Sequence, residues 1–200
     1  QALFVSDLLD EKLGGPSVYP YHPQGLWLEI NNRPNYSRAY PHTKDADHLY
    51  RRSMYTFWKR TVPPPSMATF DAPEREYCVL QRSRTNTPLQ AFVMLHDPQF
   101  VEAARQLAER LMKEGGDTVD DRITFGFRLV TSRAPSAELA VLRDVYERRL
   151  SKYRNDRKAA LNSVDVGQSP RDETLDVSDH AAWSAVARML LNLSETITKG

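Results

Sequence analysis

The chain has 200 residues, 40% of them hydrophobic and 26% charged, with 27 Lys and Arg against 26 Asp and Glu. That is enough apolar material for one core, or one core and a small lobe, and a net charge of +1 is not the balance of a nucleic-acid binder. A single cysteine excludes an internal disulfide framework and a CxxCH haem attachment, and no run approaches the ~18–20 apolar residues of a membrane span.

Ala2 to Leu13 reads as an amphipathic helix, with Leu3, Phe4, Leu8 and Leu9 on one face and Gly14-Gly15 as its stop. Pro16 to Pro23, PSVYPYHP, reads as an ordered strap whose tyrosines have rings to bury. His22 has no second ligand at metal-binding spacing. Gly25 to Ile30 suggests a short helical turn around Trp27. Asn31 to Lys44 is a polar surface loop containing the sequon Asn35-Tyr36-Ser37.

Asp47 to Arg60 is expected to be a helix. Asp45 or Asp47 would cap it, and Leu49, Ser53, Met54, Phe57 and Trp58 would share a face. Pro63 to Pro65 would end it, because each fixes φ and lacks an N–H. A short helical start is expected at Asp71 to Glu76, with Asp71 as cap. Cys78 reads as a small buried apolar residue. Thr87-Pro88 is a cap and first-turn pair for an apolar helix over Leu89 to Leu95.

The second half is more regular. Asp97-Pro98 opens a helix with Phe100, Val101, Ala104, Leu107, Ala108, Leu111 and Met112 on one face, closed by Gly115-Gly116. Thr118 to Thr131 follows, with Asp120 and Asp121 in its first turn. Ala134-Pro135-Ser136 opens the next, with Leu139, Leu142, Val145, Tyr146, Leu150 and Tyr153 inward. Its outer face carries Arg143, Glu147, Arg148 and Arg149. Asn155-Asp156 breaks it before Arg157 to Asn162 resumes. Gly167 to Asp176 is a loop, and Ser178 or Asp179 caps a last helix that buries Trp183, Val186, Ala187, Leu190 and Leu191. No stretch alternates with period two, and no repeat recurs at 20–50 residues. The expected fold is therefore all-α: an irregular multi-helix bundle with long ordered loops and no substantial sheet. It is read as one helical domain over 1–200, with a loop-rich half over 1–96 and a regular helical half over 97–200.

No HExxH, GxSxG, Walker loop or glycine-rich dinucleotide fingerprint is present, so no catalytic residue and no metal site are assigned. The pairs Asp71/Glu74 and Asp120/Asp121 fit helix starts better than glycosidase carboxylates. The candidate surface is basic and aromatic. Between Arg51 and Arg84 stand seven Lys or Arg and three acids, interleaved with Tyr50, Tyr55, Phe57, Trp58, Phe70 and Tyr77. Guanidinium groups bind carboxylate, sulfate or phosphate bidentately. The candidate ligand-binding residues are Arg51, Arg52, Trp58, Arg60, Arg75, Arg82, Arg84 and Asn86. Structural pairing of these arginines with loop carbonyls or with Asp71, Glu74 and Glu76 is the competing reading.

The segments YRRSMYTFWKRTVPPPSMATFDAPERE (Tyr50–Glu76) and QRSRTNTPLQAFVMLHDPQFVEAARQLAERL (Gln81–Leu111) resemble a known family. So do GGPSVYPYHPQGLW (Gly14–Trp27) and AAWSAVARMLLNLSETIT (Ala181–Thr198). The family is the planctomycete-type domain of unknown function fifteen-fifty-three, also called the PSD domain. Phe92, Met94 and His96 depart from its usual pattern. The resemblance implies the C-terminal part of a large exported protein, periplasmic or secreted, downstream of a c-type cytochrome module and sometimes a carbohydrate-binding-like module. It implies no catalytic residues, and no cofactor in this chain, with haem c in an upstream part. His48 and His96 could meet such a haem as axial ligands, although a covalently held haem takes its ligands from its own module.

Three functions are compatible with this reading. The first is a non-catalytic helical scaffold that docks on upstream domains of the same polypeptide. The second is a surface that binds or processes an anionic polysaccharide. The third is an accessory to cytochrome-linked electron transfer. No nucleic acid and no membrane span are expected.

Overall fold

A computed structural model describes residues 1–30, 49–59 and 62–198. It is all-α: among the described residues there is no strand, only two isolated parallel bridges, Asp10 with Arg51 and Val18 with Thr56. The chain divides into two compact units, Leu9–Val93 on the one hand and Gln1–Leu8 with Met94–Gly200 on the other.

The second of these is the regular one. It contains α1 (Ala2–Val5), the end of α4 (Pro88–His96), α5 (Pro98–Glu114), α6 (Val119–Thr131), α7 (Glu138–Asn155), α8 (Arg157–Val164), α9 (Val177–Leu191) and α10 (Ser194–Ile197). Each major start has a local cause. Asp97 accepts the Gln99 N–H with Pro98 in the first turn of α5. Thr118 Oγ accepts the Asp121 N–H and donates to the Asp121 carboxylate, which holds the capping hydroxyl in place at the start of α6. Asp156 accepts the Ala159 N–H at α8. The cap of α9 is Asp176, two residues before the expected Ser178, and it accepts from Ser178 and Asp179 N–H together.

α9 is the centre of this unit. It packs against α5, α6, α7 and α8, and residues on nearly all its sides are buried. Its Trp183 is fully enclosed and lies 4.5 Å from the Tyr146 ring. Tyr146 Oη donates to Asp179 at 2.7 Å, and burial together with that carboxylate pushes the phenol well above its usual pKa. α5 presents Ala104, Leu107, Ala108 and Leu111 to the same core. α6 can approach because position 126 is glycine: a Cβ there would stand 2.6 Å from Leu111 Cδ2. Arg143 on α7 pairs with Asp120 on α6.

The Leu9–Val93 unit is loop-rich. Its helices are α2 (Leu26–Ile30), α3 (Pro65–Thr69) and the first two turns of α4, with a 3-10 turn at Ser53–Tyr55. Val18, Tyr21, His22, Trp27 and Leu49 are buried in it, and His22 stands edge-on to Trp27 at 5.5 Å.

Several expectations are corrected here. The helix expected over 2–13 ends at Val5: Ser6 Oγ turns back to the Leu3 carbonyl, and Asp7 has φ 62. Phe4 is exposed instead of inward. Of the expected 47–60 helix, Leu49 is helical, but residues 50–59 form bridges and one 3-10 turn, because Arg51 and Thr56 pair with the distant segment 10–18; residues 47, 48 and 60 lie outside the described residues. The triple proline, expected to end a helix, opens one instead: Pro65 occupies the first turn of α3. Asp71 to Glu76 is not helical, and Asp71 and Arg75 have φ 57 and 64. Cys78 is exposed, not buried. The Asn31–Lys44 loop, with its sequon, and His48 lie outside the described residues.

Leu107 has no exposed surface and sits where α5 meets α9. Leu107→Ala should lower unfolding free energy by about 2–5 kcal/mol, the usual range for such a cavity. Denaturant titration with an unchanged m-value checks this, and a loss under about 1 kcal/mol would mean this core is not so packed.

Candidate functional site

The arginine-aromatic stretch does not converge on one site. Arg51 is 4% exposed. Its guanidinium donates to the carbonyls of Lys12 and Gly14, both at 2.7 Å, lies 4.0 Å from the centroid of the Tyr55 ring, and stands 3.7 Å from the Asp10 carboxylate. Tyr55 Oη in turn accepts the Gly14 N–H at 2.8 Å. This arginine is the peg on which residues 10–18 are hung, and it is enclosed. A planar fork with five donors suits that task better than any other side chain.

Arg75 stacks on Trp58, 4.7 Å from its centroid, a contact worth about 0.5–1 kcal/mol at exposed sites. Arg82 donates to the Phe70 and Asp71 carbonyls at 3.2 and 3.3 Å. Arg52, Arg84 and Asn86 are exposed, and Arg60 lies outside the described residues. Of the eight candidates, then, Arg75 and Trp58 are brought together, while Arg51 and Arg82 hold backbone.

What the stretch does build is a displayed loop. At its base, Asp71 Oδ2 accepts both the N–H and the hydroxyl of Thr85, at 2.9 and 2.8 Å. Gln90, 1% exposed, donates to the Thr69 carbonyl and to Thr85 Oγ and accepts the Thr87 N–H. Between these anchors, Glu74 to Asn86 is exposed throughout. Its tip carries Tyr77, Cys78, Val79 and Leu80, with Tyr77 71% exposed and Leu80 completely so.

The other unit holds a charged cluster that sequence reasoning missed. Glu102, Arg105 and Glu109 lie on α5, and His180 on α9; all four are buried. Glu102 Oε1 accepts the N–H groups of Gln168 and Ser169 at 2.7 and 2.6 Å and the Ser169 hydroxyl at 2.7 Å. Arg105 donates to Glu109 at 2.9 Å, to the Ser169 carbonyl at 2.9 Å and to Ser169 Oγ at 2.5 Å. Lys113 reaches Asp172 at 2.6 Å, and its ammonium holds that carboxyl well below the usual carboxylate range. Gly167, at φ +106, passes so close that a Cβ would lie 2.2 Å from the Glu102 carboxyl carbon. The cluster clamps loop 167–172 onto α5. The available signal was the charged spacing i, i+3, i+7 beside the apolar stripe, which reads as ordinary surface pairing until a loop covers it.

His180 Nε2 donates to the Arg105 carbonyl at 3.2 Å and stands 3.8 Å from Glu109, while Nδ1 is buried without a partner. Burial lowers its pKa from 6.5, against the raising effects of the Arg105 carbonyl and Glu109 and with the help of the Arg105 and Arg171 charges. Nδ1 is enclosed, and Oε1 of Glu102 and of Glu109 accepts from the protein's own donors. Among the described residues no group of three His, Cys, Asp or Glu could hold a metal ion.

Two outcomes follow. Glu102→Ala strands Arg105 and removes the acceptor of the Gln168 and Ser169 N–H groups, so it should cost about 3–5 kcal/mol, as breaking a buried pair does, and speed amide exchange at Gln168 and Ser169. Equal exchange rates would refute the clamp. The second concerns pH. Below 6.5 the unfolded chain takes up a proton that folded His180 resists, so the unfolded state binds more protons and stability decreases as the pH is lowered. The contribution is present above 6.5 and is lost as pH drops toward the depressed folded value. Chemical denaturation at pH 7 and pH 5 should show this fall, and His180→Gln, which keeps a donor for the Arg105 carbonyl, should flatten it. An equal slope in both proteins would remove His180 as the cause.

A family model described as PSD1, protein of unknown function (DUF1553), matches residues 1–146. No curated protein and no solved structure matches the chain. The match takes in the Arg51 peg, the displayed loop and the Glu102–Arg105–Glu109 stripe, and it stops before the clamped loop and α9. On nearly three-quarters of its length, the chain belongs to the DUF1553 family.

Proposed function

We propose that this chain is a non-catalytic helical interaction domain that docks other domains of the same polypeptide through the loop between Phe70 and Thr85. One observation carries the reading: Tyr77, Val79 and Leu80 are exposed together at the tip of a loop whose base is fixed by Asp71, Arg82, Thr85 and Gln90. Apolar surface left in water forgoes roughly 25 cal/mol per Å². A tip on an ordered base also loses less conformational freedom on binding than a free segment would.

Arg75, Arg82 and Arg84 flank the tip in the sequence. Glu74 and Glu76 flank it too, so the complementary surface is an apolar pocket with a polar rim of mixed charge. The family resemblance supplies the setting: an exported planctomycete protein, periplasmic or secreted, with a haem-bearing cytochrome module upstream. An anionic-polysaccharide surface on the same stretch is supported less well, because the Arg51 and Arg82 guanidinium groups are already engaged with carbonyls. Electron transfer rests on the family setting alone.

The test is binding of this chain to the separately expressed upstream domains, by calorimetry and sedimentation. Leu80→Ser and Tyr77→Ser should each weaken binding at least tenfold with the melting temperature unchanged, since both side chains are exposed. No binding, or binding indifferent to both changes, overturns the proposal. Self-association abolished by Leu80→Ser would assign the tip to a second copy instead.

A further inference from the structure

Loop 167–172 is held to α5 by side chains alone. From Val166 to Glu173 no residue makes a backbone–backbone hydrogen bond among the described residues. The loop N–H groups go to carboxylates instead: Gln168 and Ser169 to Glu102 Oε1, and Asp172 to Glu109 Oε1 at 3.4 Å. The Ser169 and Pro170 carbonyls accept from Arg105. Gly167, at φ +106, stands at one end of the loop. At the other end the Asp172 carboxylate accepts the N–H and hydroxyl of Thr174. The helices beside it have backbone ladders of their own, so the loop is the part of this enclosure that can open while they stay folded.

His180 shares the loop's anchor. Glu109 Oε1 lies 2.9 Å from Arg105 Nη1, 3.4 Å from the Asp172 N and 3.8 Å from His180 Nε2. The neutral ring suits its place: Nε2–H donates to the Arg105 carbonyl, and the enclosed Nδ1 carries only a lone pair. A second proton changes both sides of the ring. Nδ1–H becomes a buried donor with no acceptor, which is costly until water reaches it. The charge at Nε2 draws on Glu109 Oε1, where the long contact from the Asp172 N–H is the weaker of the two bonds already made. Burial opposes that proton most; Glu109 on α5 favours it, while Arg105 on α5 and Arg171 in the loop oppose it. The remaining charged or titratable groups near α9 are engaged elsewhere. Arg122 of α6 and Tyr146 of α7 meet Asp179, Tyr153 of α7 meets Ser163, and Arg157 and Lys158 of α8 are exposed.

We infer that His180 and loop 167–172 form an acid-operated latch, closed on α5 at neutral pH and opened by a proton taken up on His180 while the helices stay folded. Opening lets water reach the ring and releases Glu102, Arg105 and Glu109, a charged stripe that the loop covers at neutral pH. The Lys113–Asp172 pair is not what lets go, because the ammonium holds that carboxyl well below the usual range and it stays ionised throughout. The latch involves none of the residues of the Tyr77–Leu80 tip and is independent of the docking reading.

The test is amide hydrogen exchange of the whole chain, read by NMR between pH 8 and pH 5 as protection corrected for intrinsic rates. A proton bound by the open form and refused by the closed one favours opening by up to about thirtyfold at pH 5, the factor for a histidine that titrates at 6.5 when hydrated. Protection of Gln168, Ser169 and Asp172 should therefore be flat above about pH 6.5 and fall below it, losing at least fivefold by pH 5. Low urea should leave that loss unchanged, since a small opening exposes little surface, whereas amides of α9 should respond to urea. His180→Gln keeps a donor for the Arg105 carbonyl and cannot be charged, so it should abolish the fall. Should that variant not fold, the position of the break in the unaltered chain decides: a break near about pH 4 assigns carboxylates and overturns the latch. Loop protection that is equal at pH 7 and pH 5, that follows urea as α9 does, or that still falls in His180→Gln overturns it as well.

Discussion

Burial of α9 on nearly every side is the constraint on which the regular unit depends. A helix so enclosed needs four neighbours, and α5, α6, α7 and α8 supply them. Each neighbour then turns a single apolar stripe toward it and leaves its other face free for charge. Trp183 fixes the spacing, since so large a ring without solvent exposure must be met by a matching surface, here Tyr146. Gly126 permits the closest approach, where any side chain would overlap Leu111. The Glu102–Arg105–His180 cluster belongs to the same requirement. It seals the edge of α9 with loop 167–172, and does so with charge because loop N–H groups need acceptors that an apolar side chain cannot provide.

The Leu9–Val93 unit is organised differently. With few turns of helix to satisfy its own backbone, it uses side chains: Arg51 on the carbonyls of Lys12 and Gly14, Asp71 on Thr85, Gln90 on Thr69 and Thr87. Such pegs hold irregular chain at defined points and leave the stretches between them exposed. The Glu74–Asn86 loop is what that mode of construction displays.

What could be read from the sequence follows from which forces are local. Asp97-Pro98, Thr118 and Asp156 act within one turn, and the helices they begin were legible to within a residue or two. Arg51 acts across about forty residues. Nothing near it says that its partners are the Lys12 and Gly14 carbonyls, so the helical spacing over 47–60 points away from the observed backbone. Cys78 was assigned to the interior on residue type, but the pegs at Asp71 and Thr85 place its loop outside. The stripe Glu102, Arg105, Glu109 resembled a surface pairing pattern, and only a glycine sixty-odd residues later lets a loop cover it. Density marks the arginine stretch in the sequence, but that Arg51 and Arg82 are consumed by backbone carbonyls is a property of the fold.

The central claim is that the displayed tip is the working surface and the buried charges are framework. The most direct measurement is amide hydrogen exchange across the whole chain, alone and with the proposed upstream domains. The account predicts fast exchange over residues 74–84 in the isolated chain, slowed on joining, with Gln168 and Ser169 equally protected in both. Exchange over 74–84 that is unchanged by the neighbouring domains, with new protection appearing elsewhere, would contradict it.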